Sequence, residues 1–261
     1  MKIHLHGIVS GMLMLATLSF VQAAEETAPD KVLFNGTDLT GWRQPAGDWR
    51  SAAGVALAAA KLEIFNIAPG KGVMVNGDSG RTVDLMTGEE FGDIDLHVEF
   101  CVARRSNSGV YLQGRYEIQI YDSFGVEKDA YPGIECGGIY PRWIADQGVD
   151  GHSPRVNASK PAGEWQSFDI LFKAARFDAD GKKIANARMV RVLHNGQLIH
   201  ENIELKGPTR SAHYSDEKPL GPILLQGDHG PVAYRNLRVK AVDLKSGQAA
   251  PGQPANPMTA P

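Results

Sequence analysis

Only two cysteines, Cys101 and Cys136, occur in the whole chain. At most one disulfide could form, and whether it does stays open, since a chain of 261 residues has enough core to fold without a staple. An excess of positive charge is also lacking, because 27 lysines and arginines stand against 30 aspartates and glutamates for a net charge of −3. Binding nucleic acid through its phosphates needs a basic surplus, so that partner is excluded. Beyond the N-terminus no apolar run approaches the roughly 20 residues of a spanning helix. The Gly-x-Ser-x-Gly elbow, the His-Glu-x-x-His zinc motif, a Cys-x-x-Cys pair and a glycine-rich phosphate loop are all missing. Serine esterase, zinc protease, thiol redox and nucleotide-dependent chemistry drop out with them.

What is present begins with Lys2 and an apolar run from Ile8 to Val21, ending in Val21-Gln22-Ala23-Ala24. A basic start, a short apolar stretch and small residues at the end predict a signal peptide over residues 1–23, cleaved after Ala23. The product is then expected in the periplasm or outside the cell, with no membrane span left. Residues 24–30 read as a flexible leader, and residues 246–261, biased to Gly, Gln, Ala and Pro, as a disordered tail. No linker or shift of composition divides residues 31–245, which read as one domain.

The 29 glycines and 15 prolines exceed the usual share of about 12% for the two together and favour turns and short strands over long helices. In Asp93-Ile94-Asp95-Leu96-His97-Val98-Glu99-Phe100-Cys101-Val102 the apolar residues alternate with the rest, which sets Ile94, Leu96, Val98, Phe100 and Val102 into a core and leaves the others on an opposite, polar face. Tyr116 to Tyr121 repeats the pattern, with Glu117, Gln119 and Tyr121 on the polar side. Phe168 to Phe172, Arg188 to Leu193, Ile223 to Gln226 and Leu237 to Val242 read as further strands. Asn195-Gly196 reads as a type I′ hairpin turn, and Asp180-Gly181 as another turn. Many antiparallel strands with few, short helices describe an all-β sandwich or jelly roll.

Several side chains could carry chemistry. Glu117 and Gln119 share a strand face that runs into Asp122, and carboxylates on such a face serve as general acid and base or bind hydroxyl groups. The same face could be no more than the solvated side of a sheet. Asp93, Asp95, His97 and Glu99 include metal-ligand types, but same-face residues on a strand lie about 7 Å apart, too far for one small cation to reach all four. Glu99 is retained because it lies nearest the turn from Arg104 to Gly109, where Arg104 and Asn107 offer hydrogen-bond donors. His229, between glycines in Gly227-Asp228-His229-Gly230, is placed to reach a ligand. Trp42, Trp49, Trp143 and Trp165 could stack on sugar rings, although most tryptophans belong to cores and about one is expected in a groove.

Val32-Leu33-Phe34-Asn35-Gly36-Thr37-Asp38-Leu39-Thr40-Gly41-Trp42 resembles the opening of the 3-keto-disaccharide hydrolase family, long called domain of unknown function 1080. Asn107-Ser108-Gly109-Val110-Tyr111-Leu112, Tyr116-Glu117-Ile118-Gln119 with Asp122, Cys136-Gly137-Gly138-Ile139-Tyr140, Leu225-Gln226 with His229-Gly230, and Arg235-Asn236 follow in that family's order. The resemblance implies a concanavalin-like jelly roll that cleaves glycosides whose glucose unit carries a ketone at C3. Such a ketone acidifies the C2 hydrogen, so that a base can remove it, the C1 substituent can leave and water can add. The resemblance casts Glu117 or His229 as base and Asp122 or Glu99 as acid or orienting partner. Arg104, Asn107, Gln119, Gln226 and Arg235 would bind substrate or the enolate oxygen. A divalent cation could assist the enolate, although no ligand cluster is readable. The oligosaccharide or glycoside partner leaves two competing readings, a non-catalytic carbohydrate-binding module of the same fold and a hydrolase with a carboxylate pair acting on unmodified sugars.

Overall fold

The alternating segment Ile94–Val102 forms a central strand, with Ile94, Leu96, Val98, Phe100 and Val102 almost completely buried. It belongs to an eight-stranded sheet in the computed structural model, which describes residues 30–127 and 133–245. The expected signal peptide, most of the leader and the tail lie outside the described residues. Across the large sheet the order is Gln197–Leu205, Ala187–His194, Gln166–Lys173, Ile94–Val102, Val232–Ala241, Lys61–Val75 and Arg50–Ala58, with Lys31–Val32 beside Val232–Ala241. Every pairing is antiparallel.

A smaller sheet, in the order Leu85–Met86, Leu224–Leu225, Asn107–Leu112 and Tyr116–Tyr121, packs against it. One core joins the two layers, with Phe100, Phe168 and Phe172 of the large sheet clustered with Val110, Leu112, Ile118 and Ile120 of the small one. Tyr116 and Phe172 meet across the layers at 5.6 Å between ring centres. The result is an all-β sandwich of the jelly-roll type. Asn195 and Gly196, at φ 51° and 78°, make the expected tight turn between Ala187–His194 and Gln197–Leu205.

Four features depart from the sequence pattern. No helix occurs among the described residues, where a few short ones are expected, and so none is long and apolar enough to cross a membrane. Arg50–Ala58 and Lys61–Val75 form a long hairpin that composition does not signal, since Arg50–Ala58 is built largely of small residues. That hairpin explains the third departure. Cys101, assigned by alternation to a polar face, is completely buried there with Ala52, Phe65, Val73 and Val75 in a second apolar cluster. Asp93 precedes the strand instead of joining its polar face, and its carboxylate holds Arg176 and the backbone N–H groups of Ala174 and Leu244. Cys101 and Cys136 are both free, and burial pushes each thiol up to about 12.

Candidate active site

The hairpin Asn107–Leu112 with Tyr116–Tyr121 turns Ser108, Val110, Ile118 and Ile120 toward the core and leaves the alternate residues on the outer face. Its register sets Tyr111 opposite Glu117 and Gly109 opposite Gln119. The face is covered, with Glu117 and Gln119 both buried, and at the strand's edge Gly137 and Tyr140 donate backbone hydrogen bonds to Gln119 and Glu117 while Thr209 donates to Arg115. Between these covering segments lies a cavity of about 80 Å³, lined by Asn107, Tyr111, Glu117, Gln119, Tyr140, Arg210, Ser211, Gln226 and His229.

Glu117 is the one carboxylate among those lining residues and is 3% exposed. Burial pushes its carboxyl up to about 8, against the hydrogen bond from the Tyr111 hydroxyl, while Asp84 and Asp228 raise it further. Such a group is largely protonated at pH 7 and can donate. Burial and the Glu117 charge in turn keep the Tyr111 phenol protonated far above its ordinary range, and the same two effects raise Tyr140. Gly109 makes the arrangement possible, since a Cβ there would lie 2.2 Å from Glu117 Oε1.

Three amides face the same space with unsatisfied oxygens: Asn107 Oδ1, Gln119 Oε1 and Gln226 Oε1 are buried and have no hydrogen-bond partner among the described residues. A buried polar atom without a partner is costly. A ligand rich in hydroxyl groups removes that cost, and Arg210 supplies a cation beside it.

His229 stands at the edge with half of its side chain exposed, and its Nδ1 bonds to the Asp228 carboxylate. A carboxylate can only accept, so Nδ1 donates, and in the neutral imidazole Nε2 keeps its lone pair. The loop that carries His229 is fixed from several sides. Asn76, 1% exposed, donates to the carbonyls of Gly227 (3.0 Å) and Gly230 (2.8 Å) and accepts from Val232 N (2.9 Å). Asp84 Oδ1 accepts from Gly227 N at 3.0 Å, and Asn107 N donates to the His229 carbonyl at 3.2 Å. Burial raises the Asp84 carboxyl in spite of that bond.

Of the nine residues singled out in the sequence, the cavity gathers Glu117, His229, Asn107, Gln119 and Gln226 and leaves out four. Asp122 accepts from Arg105 N at 3.0 Å, with Arg104 Nε 3.6 Å away, and so closes the turn between two strands. Glu99 and Arg235 are paired at 2.6 Å on the outward face of the large sheet, with the core between them and Glu117. Burial acts to raise Glu99, but hydrogen bonds from Asn236 and Arg235 outweigh it and hold the carboxyl below its ordinary value. Neither Glu99 nor Asp122 is therefore placed to serve as the acid beside Glu117. Tyr111 and Tyr140 stand in motifs that carry the resemblance but receive no role there, and Arg210 and Ser211 belong to no motif. Tyr111 could have been found, because it and Glu117 flank Gly114 symmetrically in a hairpin. The other three arrive on loops without periodicity. Among the described residues no group of three or more His, Cys, Asp or Glu side chains is gathered to hold a metal ion.

A sandwich with such a cavity suits a ligand rich in hydroxyl groups, and the comparisons indicate a carbohydrate-acting protein of the glycoside hydrolase or lyase kind. A crystal structure of a provisionally assigned glycosyl hydrolase from Parabacteroides distasonis ATCC 8503, at 2.13 Å, is 26% identical with a TM-score of 0.58, covering 82% of this chain and 84% of that one. A second from the same organism, at 2.00 Å, is 20% identical with a TM-score of 0.51 over 82% of this chain and 100% of that one, and shares the fold. No curated protein matches the chain. Residues 29–240 match the family model of the 3-keto-alpha-glucoside-1,2-lyase-like domain, and the chain belongs to that family.

Proposed function

We propose that the protein is exported and cleaves 3-keto-glycosides by elimination across C1 and C2 followed by hydration. The observation that carries this reading is the pairing, in one small cavity, of a carboxyl that is protonated at neutral pH with an imidazole whose Nδ1 is held by Asp228, so that its neutral form presents Nε2 as the acceptor. His229 Nε2 removes the proton at C2, and the electron pair moves onto the C3 oxygen as an enolate. Arg210, Tyr140 and the amide N–H groups of Asn107 and Gln119 supply donors for that oxygen. As the C3 carbonyl re-forms, a C1–C2 double bond appears and the C1–O bond breaks, with Glu117 giving its proton to the departing oxygen. The Glu117 carboxylate then takes a proton from water as its oxygen adds to C1, and protonated His229 returns a proton to C2. Both groups end as they began, and the net change is hydrolysis. Proton donor and acceptor are both accounted for within the cavity, whereas a carboxylate-pair mechanism needs a second carboxylate that its lining residues do not supply.

Purified protein is expected to release 3-keto-glucose, or its dehydrated glucal, from a 3-keto-disaccharide and to leave the unoxidised disaccharide intact. Glu117→Gln and His229→Ala should abolish release while preserving the fold. Full activity in both variants would reject the assignment, and saturable binding without turnover in the wild type would favour a binding module.

A further inference from the structure

Among the four tryptophans one is differently placed. Trp42 and Trp49 are buried and donate their indole N–H to the carbonyls of Leu33 and Val83, and Trp165 is half-buried with Arg235 over its ring at 4.1 Å. Trp143 is 46% exposed. It sits on a two-stranded hairpin, Arg142–Ile144 with Gln147–Val149, opposite Gly148, which has no side chain to cover it. One of its ring faces is taken, because the Arg210 guanidinium lies 3.9 Å from the ring centre.

Arg210 also lines the Glu117 cavity, so Trp143 is separated from that cavity by one side chain. The backbone makes the same connection. Tyr140 lines the cavity, the Pro141 carbonyl accepts from Arg210 N at 2.8 Å, and Trp143 follows two residues later. The hairpin is held in place. Its turn sets Ala145 and Asp146 at φ 49° and 61°, left-handed values that L residues seldom adopt, and Asp150 bonds to both Arg142 and Lys206. At about 80 Å³ the cavity is far smaller than the roughly 300 Å³ of a site that encloses a drug-sized ligand. A two-ring glycoside must therefore keep its second ring outside.

We propose that Trp143, backed by Arg210, is the leaving-group subsite, where a ring-shaped aglycone with a flat apolar face stacks on the indole while the keto sugar occupies the Glu117 cavity. This rests on the glycoside-cleaving reading above. Either a second pyranose, through its C–H face, or an aromatic ring satisfies that chemistry.

The test uses 3-keto-glucosides that differ only in the aglycone: methyl, phenyl and glucosyl. Their binding to the non-turnover Glu117→Gln protein is measured by calorimetry, with and without Trp143→Ala. A ring aglycone should bind about tenfold more tightly than methyl, the size of one aromatic contact. That preference should vanish with Trp143→Ala and return with Trp143→Phe. A gain on the glucosyl arm alone assigns a sugar, and a gain on the phenyl arm alone assigns an aryl group. Equal affinities for the three, no binding, or a loss in Trp143→Ala that is the same for all three would overturn the inference, the last because it would mean that Trp143 acts only through Arg210. Wild-type protein that shows the preference but releases no keto sugar would refute cleavage and leave the subsite standing.

Discussion

Glu117 illustrates what a strand pattern shows and what it hides. Alternation in Tyr116–Tyr121 puts Glu117 and Gln119 on the face opposite Ile118 and Ile120, and that much is readable from residue types alone. Their burial is not, because the segments that cover them come from residues 137–140 and 207–211, distant in the chain. Burial is what turns an ordinary carboxylate into an acid at neutral pH, so the chemically decisive property is tertiary. Two outcomes follow at this scale. Activity should fall as pH rises through about 8, where Glu117 loses its proton, and a pH profile of kcat would show this as an alkaline limb. Gly109→Ala should lower kcat by about 10- to 100-fold, since a Cβ 2.2 Å from Oε1 and 3.0 Å from Cδ and Cγ displaces the Glu117 side chain, and misplacing a catalytic group costs rate on that scale.

Loop 227–230 and the hairpin beside it govern the site at the level of elements. The placement of His229 between glycines is visible in the sequence, but the residue that fixes the loop, Asn76, lies about 150 positions earlier and belongs to no motif. Asn76→Ala removes three buried hydrogen bonds, and at roughly 1 kcal/mol each it should destabilise the protein by about 2–4 kcal/mol. If Asn76 positions His229, kcat measured well below the unfolding midpoint should also fall, with KM less affected. An unchanged kcat would make it a purely structural clamp. Arg235-Asn236, a motif read as substrate-binding, braces a strand. The pairing of Val232–Ala241 with Ile94–Val102 shifts register between Arg235 and Arg238, Asn236 takes φ 51° there, and both Arg235 and Asn236 bond to Glu99. A β-bulge with its own carboxylate anchor accounts for those residues without a ligand.

For the molecule as a whole, the sandwich was legible because period-two alternation and the Asn195-Gly196 turn are local signals. The Arg50–Ala58 and Lys61–Val75 hairpin was not, since alanine and glycine say little about strands. The packed layers also set how stability depends on pH. His194 and His200 are buried, and burial drives them down to about 3 and about 4. Both imidazoles must stay neutral in the fold, so the stability they allow is full above pH 6.5 and is lost as pH falls toward those values. Glu117 acts in the other direction. Its raised carboxyl favours the fold below about pH 4.5, and that contribution is lost as pH rises through about 8. Of these three groups, the two histidines outweigh the one carboxyl between pH 4.5 and 6.5, and the carboxyl governs above 6.5. Thermal unfolding across pH 4–9 should accordingly give a highest Tm near pH 6.5, with the decline above it flattened in Glu117→Gln.

The account stands or falls on whether cleavage passes through C2. The direct measurement is to cleave a 3-keto-glycoside in D₂O and read deuterium at C2 of the released 3-keto-glucose by mass spectrometry, against the same product incubated without protein. His229 is half-exposed and exchanges its proton with solvent, so elimination and hydration should leave deuterium at C2 in most of the product, and none should form with His229→Ala. Full release of 3-keto-glucose with C2 unlabelled would contradict the account and point to direct displacement at C1.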